Sequence, residues 1–314
     1  MENDGMQNFN TQFNFNILFN EIFKKKLLII VVTLVFAILS VFFSLQIPNK
    51  YKSSSLLSVV ESKDGMQSAL SGLTAQYGGL ASAAGVTLPG SEGSNKSYLI
   101  INTIKSRAFL KHLIEIDPSI IQNIMAYKSY DAKSKTITYD SDIYNPIKKQ
   151  WVREPTKYHK SKPSYLELHE LFDKKVLQVT LDKITGLIKI SIVTVSPEYS
   201  KSLLELIINE LNITERKKDI DKSSKALSYL EQIIITTSQE NIKKSINNLI
   251  ESQLKIQMLA NLQEDYLLSL IDPPFIPELK DSPSRAIICI FGTFIGFLLS
   301  ILFVLASFFK RIRN

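Results

Sequence analysis

The chain has 314 residues, of which 45% are hydrophobic and 21% are charged. A chain of this length and composition can bury a sizeable core, which excludes global disorder. The formal net charge is +7, and the clearest basic clusters, 24–26 and 310–313, border long apolar runs. The charge therefore indicates membrane topology rather than a nucleic-acid partner.

Two uncharged apolar runs lie near the ends of the chain, at residues 27–45 and 286–309. Each is long enough to cross a bilayer core as a helix, which takes about 20 residues. The first run begins far from the N-terminus and lacks a small-residue cleavage site, so it predicts an uncleaved anchor rather than a signal peptide. By the positive-inside rule, residues 1–26 and 310–314 are expected in the cytoplasm and residues 46–285 in the periplasm.

The second run contains the sequence Gly292-Thr-Phe-Ile-Gly296. Glycines with this spacing let membrane helices approach closely, so we predict a helix–helix contact there, with either the first span or a neighbouring subunit as the partner. The one cysteine, Cys289, lies in the same run, and a single cysteine excludes an intrachain disulfide.

Between the spans the sequence predicts a mixed α/β domain, which makes the chain an α+β membrane protein. The predicted elements, in chain order, are a strand at 50–60, a helix at 97–116, two strands at 176–181 and 187–195 with a turn at Gly186, and a strand at 266–271. The Gly-, Ala- and Ser-rich stretch 69–93 lacks a phosphate-binding pattern and is interpreted as a loop. Residues 118–163 show no pattern that assigns them a structure.

A long helix is predicted from Pro197 to about Asp265. Ser196 and Pro197 are typical of a helix start, no glycine or further proline follows up to Asp265, and apolar residues recur at helical spacing. One helix, with or without a break, would reach roughly 90 Å at 1.5 Å per residue. Such a helix is expected to project from the membrane and to pack against neighbours in an oligomer.

A proline-rich connector, residues 272–283, leads to the second span. It contains four of the 11 prolines of the chain, namely Pro273, Pro274, Pro277 and Pro283. Because proline fixes φ and lacks a backbone donor, the connector is expected to be extended and stiff, and to set how the domain stands on the bilayer.

Three motifs, together with this order of elements, carry a resemblance. They are Pro48-Asn-Lys-Tyr51, Gly78-Gly-Leu-Ala-Ser-Ala-Ala-Gly85, and Asp272-Pro-Pro274 through Pro277 to Pro283-Ser-Arg285. Over about residues 15–312 the chain resembles the Wzz-type polysaccharide co-polymerases, the O-antigen chain-length determinants. The connector prolines and the glycines Gly292 and Gly296 are the candidate structural determinants.

The resemblance implies a non-enzymatic regulator in the bacterial inner membrane that forms homo-oligomers. Acting with a Wzy-type polymerase, it would set the number of repeat units in lipopolysaccharide O-antigen or a related polymer. Membrane lipids and the growing lipid-linked polysaccharide are the other implied partners. Neither a cofactor nor a nucleic acid is expected.

Alternative functions are an export-linked relative serving a capsule or exopolysaccharide, a sensory or adaptor ectodomain, and an envelope enzyme. Against a sensor, only five residues, 310–314, follow the second span. Against an enzyme, the histidines His112, His159 and His169 lack the HExxH spacing, and no nucleophile motif occurs. Catalytic and metal sites are therefore not expected.

Overall fold

The computed structural model describes residues 23–60 and 92–313. The motif Gly78–Gly85 and most of the loop 69–93 lie outside the described residues. The helices are α1 (Lys26–Gln46), α2 (Glu92–Ile104), α3 (Arg107–Ile116), α4 (Ser119–Met125), α5 (Tyr165–Leu171), α6 (Pro197–Thr236), α7 (Glu240–Leu262) and α8 (Arg285–Arg313). The strands are β1 (Tyr51–Val59), β2 (Tyr127–Asp131), β3 (Thr136–Tyr139), β4 (Tyr144–Asn145), β5 (Gln150–Trp151), β6 (Leu177–Leu181), β7 (Ile188–Thr194) and β8 (Leu268–Asp272).

The chain divides into two compact units. One unit comprises residues 1–48 and 282–314, and the other comprises residues 49–281. The first unit holds the paired helices α1 and α8, and both are long and apolar enough to cross a membrane. The predicted fold class, in which two apolar helices flank a mixed α/β region with a long helix, is confirmed.

The second unit is built on an antiparallel sheet with the strand order β6-β7-β1-β8. In β7 the alternate residues Ile188, Ile190 and Ile192 are fully buried, as the period of two predicts for one face of a sheet. The predicted turn between β6 and β7 is also confirmed, because Gly186 adopts a φ of +71°, which favours glycine. The first turns of α6 pack on this sheet through one apolar stripe: Leu203, Leu204, Ile207, Ile208 and Leu211.

The helix expected over 97–116 is divided in the structure. The Ser106 hydroxyl accepts a hydrogen bond from the Phe109 amide at 3.1 Å, and this cap starts a separate helix, α3. Helix α3 ends before Asp117, where the sequence predicted the end. The stretch 118–163, which sequence patterns left unassigned, forms α4 and the short antiparallel pairs β2–β3 and β4–β5.

The helix expected over about 197–265, with or without a break, is divided in the structure, and its expected reach of roughly 90 Å is wrong. Helical structure stops at Thr237–Gln239, and α7 then returns along α6, as the hydrogen bond of 2.8 Å from Gln257 Nε2 to Ser224 Oγ shows. The longest helix therefore has 40 residues, or about 60 Å, rather than roughly 90 Å. We call α6 and α7 together the helical hairpin.

The helical hairpin is fastened to the start of β8 by polar side chains of α6. Asn212 is buried; its Oδ1 accepts hydrogen bonds from the amides of Leu267 and Leu268 at 2.9 Å, and its Nδ2 donates to the Leu268 carbonyl at 3.1 Å. One turn later, Arg216 donates to the carbonyls of Gln263 and Glu264 at 2.6 Å. We call this arrangement the Asn212 clamp.

The clamp predicts that Asn212→Ala destabilises the domain by about 2–4 kcal/mol, because it leaves two buried amide donors without acceptors. The matched control is Asn248→Ala at an exposed position of α7, which should change the free energy of unfolding by less than about 0.5 kcal/mol. Denaturant unfolding of the full chain, followed by the fluorescence of its one tryptophan, Trp151, measures both. Equal effects of the two substitutions would contradict the role given to Asn212.

Candidate functional site

The two glycines of the second span lie against the first span of the same chain. A Cβ atom at Gly292 would overlap the Cβ of Ser40, and one at Gly296 would overlap the Cβ of Phe36. At the N-terminal end of α1, Lys25 Nζ donates a hydrogen bond to Ser307 Oγ at 3.2 Å. The helices α1 and α8 are thus antiparallel and packed at the closest approach that glycine allows.

The connector lies along β1 as far as Asp281. We call the second unit, residues 49–281, the middle domain. Proline cannot donate to a neighbouring strand, and the pairing of β8 with β1 stops at Asp272, next to Pro273 and Pro274. From this point two buried serines of β1 replace the backbone pairing with side-chain hydrogen bonds. Ser55 Oγ donates to the Asp272 carbonyl at 2.6 Å, and Ser53 Oγ donates to the Phe275 carbonyl at 2.7 Å. The connector is therefore held by the domain rather than extending freely.

The four connector prolines do not share one environment. Pro274 and Pro277 are buried in the domain, whereas Pro273 is exposed. Pro283 belongs to the unit that contains the two spans. Beyond Pro277, the connector returns to the start of β1, where the Asp281 amide donates to the Lys50 carbonyl at 2.8 Å.

Sequence reasoning missed the serines that hold the connector. The signal was present, because Ser53, Ser55 and Leu57 alternate along a predicted strand and all three are buried. A buried hydroxyl on a sheet face needs a hydrogen-bond partner, and the carbonyls of a proline-rich segment provide one.

The helical hairpin carries apolar side chains that the described chain leaves exposed. Its own interior uses small or apolar residues, including Ser223, Leu227, Ile246 and Ala260, which are at most 9% exposed. The exposed set comprises Ile213, Tyr229, Ile235, Ile242, Leu254, Met258 and Leu262, with exposed fractions from 45% to 83%. So many large apolar residues on two neighbouring helices are typical of a surface that binds another protein.

Each histidine contacts a carboxylate or a backbone carbonyl. His112 Nε2 lies 3.1 Å from Glu210 Oε2, and His169 Nε2 lies 2.7 Å from the Lys105 carbonyl. His159 lies 3.4 Å from Glu167. Within residues 23–60 and 92–313, no group of three or more His, Cys, Asp or Glu side chains is placed to hold a metal ion.

Glu167 belongs to an ion pair that shapes the loop before α5. Arg153 contacts both oxygens of this carboxylate, at 2.5 and 2.8 Å, and its Nε donates to the carbonyls of Lys160 and Ser161 at 2.9 Å. The guanidinium holds the pKa of the Glu167 carboxyl below its ordinary value. The pair fixes the loop before α5.

A protein-family model matches about a third of the chain, near its N-terminus. Residues 11–115 match the family model described as Wzz, chain length determinant protein. This match confirms the resemblance that the sequence motifs indicated. It supports a role in polysaccharide chain-length regulation in general and, with the two apolar helices, an inner-membrane protein with a periplasmic domain.

Two solved structures are similar to this chain at low sequence identity. A full-length bacterial polysaccharide co-polymerase is 14% identical, with 95% of this chain and 98% of that chain covered and a TM-score of 0.38. A fragment of WzzB, a polysaccharide co-polymerase from Salmonella Typhimurium, is 12% identical, with 74% of this chain and 100% of that chain covered and a TM-score of 0.27. A comparison with curated proteins gives no match.

The glycine contact predicts an intrachain disulfide in the double variant Ser40→Cys/Gly292→Cys, prepared with Cys289→Ala. A disulfide holds its Cβ atoms about 3.5–4.5 Å apart, so the helices need to separate by only about 1–2 Å for the bond to form. Oxidation should then give a monomer of altered mobility on a non-reducing gel. The control pairs Ser40→Cys with Ile290→Cys, whose position is 67% exposed. Covalent dimers in place of the shifted monomer would show that the glycines instead face a neighbouring subunit.

Proposed function

We propose that this chain is a non-enzymatic scaffold of the inner membrane that sets the length of a surface polysaccharide. The polymer we propose is lipopolysaccharide O-antigen, and the proposed enzyme partner is a Wzy-type polymerase that carries out the polymerisation. The observation that carries the proposal is the family match over residues 11–115, which covers the first span and β1. The growing lipid-linked polysaccharide is a further proposed partner.

The proposed topology puts both termini in the cytoplasm and residues 46–285 in the periplasm. Lysines at 24–26 and the basic residues Lys310, Arg311 and Arg313 support it, because positive charge is retained on the cytoplasmic side. In this topology the helical hairpin belongs to the periplasmic domain.

We propose that the chain acts as a homo-oligomer joined through the helical hairpin. The exposed apolar residues of α6 and α7 support this arrangement, since burying the exposed part of each against a neighbour would contribute about 1–2 kcal/mol. An assembly of such hairpins has a fixed size and spacing. Those dimensions, rather than a chemical step, would determine when the polymerase releases a polymer.

The function proposed here predicts that deletion of the gene abolishes the modal length cluster of O-antigen on a gel, while polymer is still made. Complementation with Ile235→Lys/Leu262→Lys should fail to restore the cluster, because these two apolar residues are 83% and 73% exposed in the single chain and their burial would be lost. Chemical crosslinking of membranes should show fewer oligomers for the same variant.

The matched control is Ser228→Lys/Asn248→Lys, which adds the same charge at exposed polar positions of the same two helices and should restore the cluster. An unchanged length distribution of every surface polymer after deletion would rule out the proposed function. A change confined to capsule or exopolysaccharide would favour the export-linked alternative.

A further inference from the structure

The middle domain is joined to both membrane helices at one corner. Lys50, at the start of β1, accepts the hydrogen bond of the Asp281 amide, so the two ends of the domain lie side by side. Three residues, 47–49, separate Lys50 from the end of α1, and three residues, 282–284, separate Asp281 from the start of α8. Each connection spans at most about 15 Å. This corner therefore lies close to the surface of whichever leaflet the spans emerge from.

The β2–β3 pair packs against the same corner. Lys50 Nζ lies 5.9 Å from the centre of the Tyr127 ring, and the rings of Tyr51 and Tyr130 meet edge to face with centroids 6.3 Å apart. The Tyr130 hydroxyl donates to Glu198 Oε2 at 2.5 Å, which ties the pair to the first turn of α6. These contacts fix β2 next to Lys50, which three residues separate from the end of α1.

The exposed side chains of β2–β3 are those of a membrane-interface segment. Lys128, Lys133 and Lys135 are exposed, whereas the one acidic residue between Tyr127 and Tyr139 is Asp131. The Asp131 carboxylate is occupied within the turn, where it accepts hydrogen bonds from the Lys133 amide at 3.0 Å and the Ser134 hydroxyl at 2.8 Å. Exposed lysines suit a lipid headgroup region, because the apolar stem of lysine can lie along the interface while its charged end stays in water.

We propose that the β2–β3 pair, with Lys50, forms a peripheral contact with anionic phospholipid headgroups of the bilayer that holds the two spans. The three exposed lysines supply the charge complementarity, since a lysine near an anionic membrane surface is attracted to it. The contact gives the domain a third attachment beside its two covalent connections. It depends neither on which polysaccharide is made nor on which side of the membrane the domain lies.

The test uses the full chain with Cys289→Ala and a fluorophore on Ala132→Cys, in the exposed turn between β2 and β3. The protein is reconstituted in vesicles of phosphatidylcholine alone or with about 30% phosphatidylglycerol, and quenching by spin-labelled lipid is measured. We expect strong quenching only in the anionic vesicles. Adding about 0.5 M NaCl should remove the quenching, because salt at this concentration screens the attraction between lysine and the anionic lipid.

The variant Lys128→Gln/Lys133→Gln/Lys135→Gln should lower the quenching in anionic vesicles to the level of phosphatidylcholine alone. The matched control removes three exposed lysines of α6, Lys217, Lys218 and Lys222, and should leave the quenching unchanged. Equal quenching in both kinds of vesicle, or no effect of the first variant, would overturn the proposal. The proposal would also be overturned if, in detergent without lipid, the fluorophore stayed shielded from a water-soluble quencher only while the protein is oligomeric. That result would assign this surface to a neighbouring copy.

Discussion

Strand β1 is the element on which the rest of the domain depends. Four residues, 47–50, separate it from the first apolar helix, and it pairs with β7 on one edge and with β8 on the other. Ser53 and Ser55 extend its hydrogen bonding to the connector beyond β8. The strand that leaves the membrane helix is therefore also the strand against which the chain returns, so the domain begins and ends at the same place.

This constraint explains why the helical region folds back on itself. The Asn212 clamp fixes the start of β8 beside α6, so residues 213–236 extend beyond that point and the chain must return over the same length. The 24 residues that lead outward span about 36 Å, and the 23 residues of α7 span about 35 Å on the return. The two lengths agree, which places the turn at Thr237–Gln239 and leaves no free length to build a longer helix.

Periodicity predicted most elements of the fold because their apolar faces are buried within one chain. The β6–β7 pair and the first half of α6 are examples, since Ile190 and Leu204 are fully buried there. Periodicity failed at the hairpin, because α6 and α7 both show helical spacing and the residues between them include neither glycine nor proline. The strand predicted at 266–271 indicated that the chain must turn back. A strand that pairs with β1 cannot directly follow a helix that only leads away from β1.

Helices α6 and α7 form a hairpin rather than one continuous helix, and the distance between Ser224 and Gln257 tests this arrangement most directly. Spin labels are placed on cysteines at these two positions in a Cys289→Ala chain. Pulsed electron paramagnetic resonance then gives the intrachain distance, and dilution with unlabelled protein suppresses distances between subunits. The hairpin predicts labels within about 20 Å, because the native side chains are hydrogen bonded at 2.8 Å. A distance near 50 Å, as expected for 33 residues of uninterrupted helix, would contradict the account.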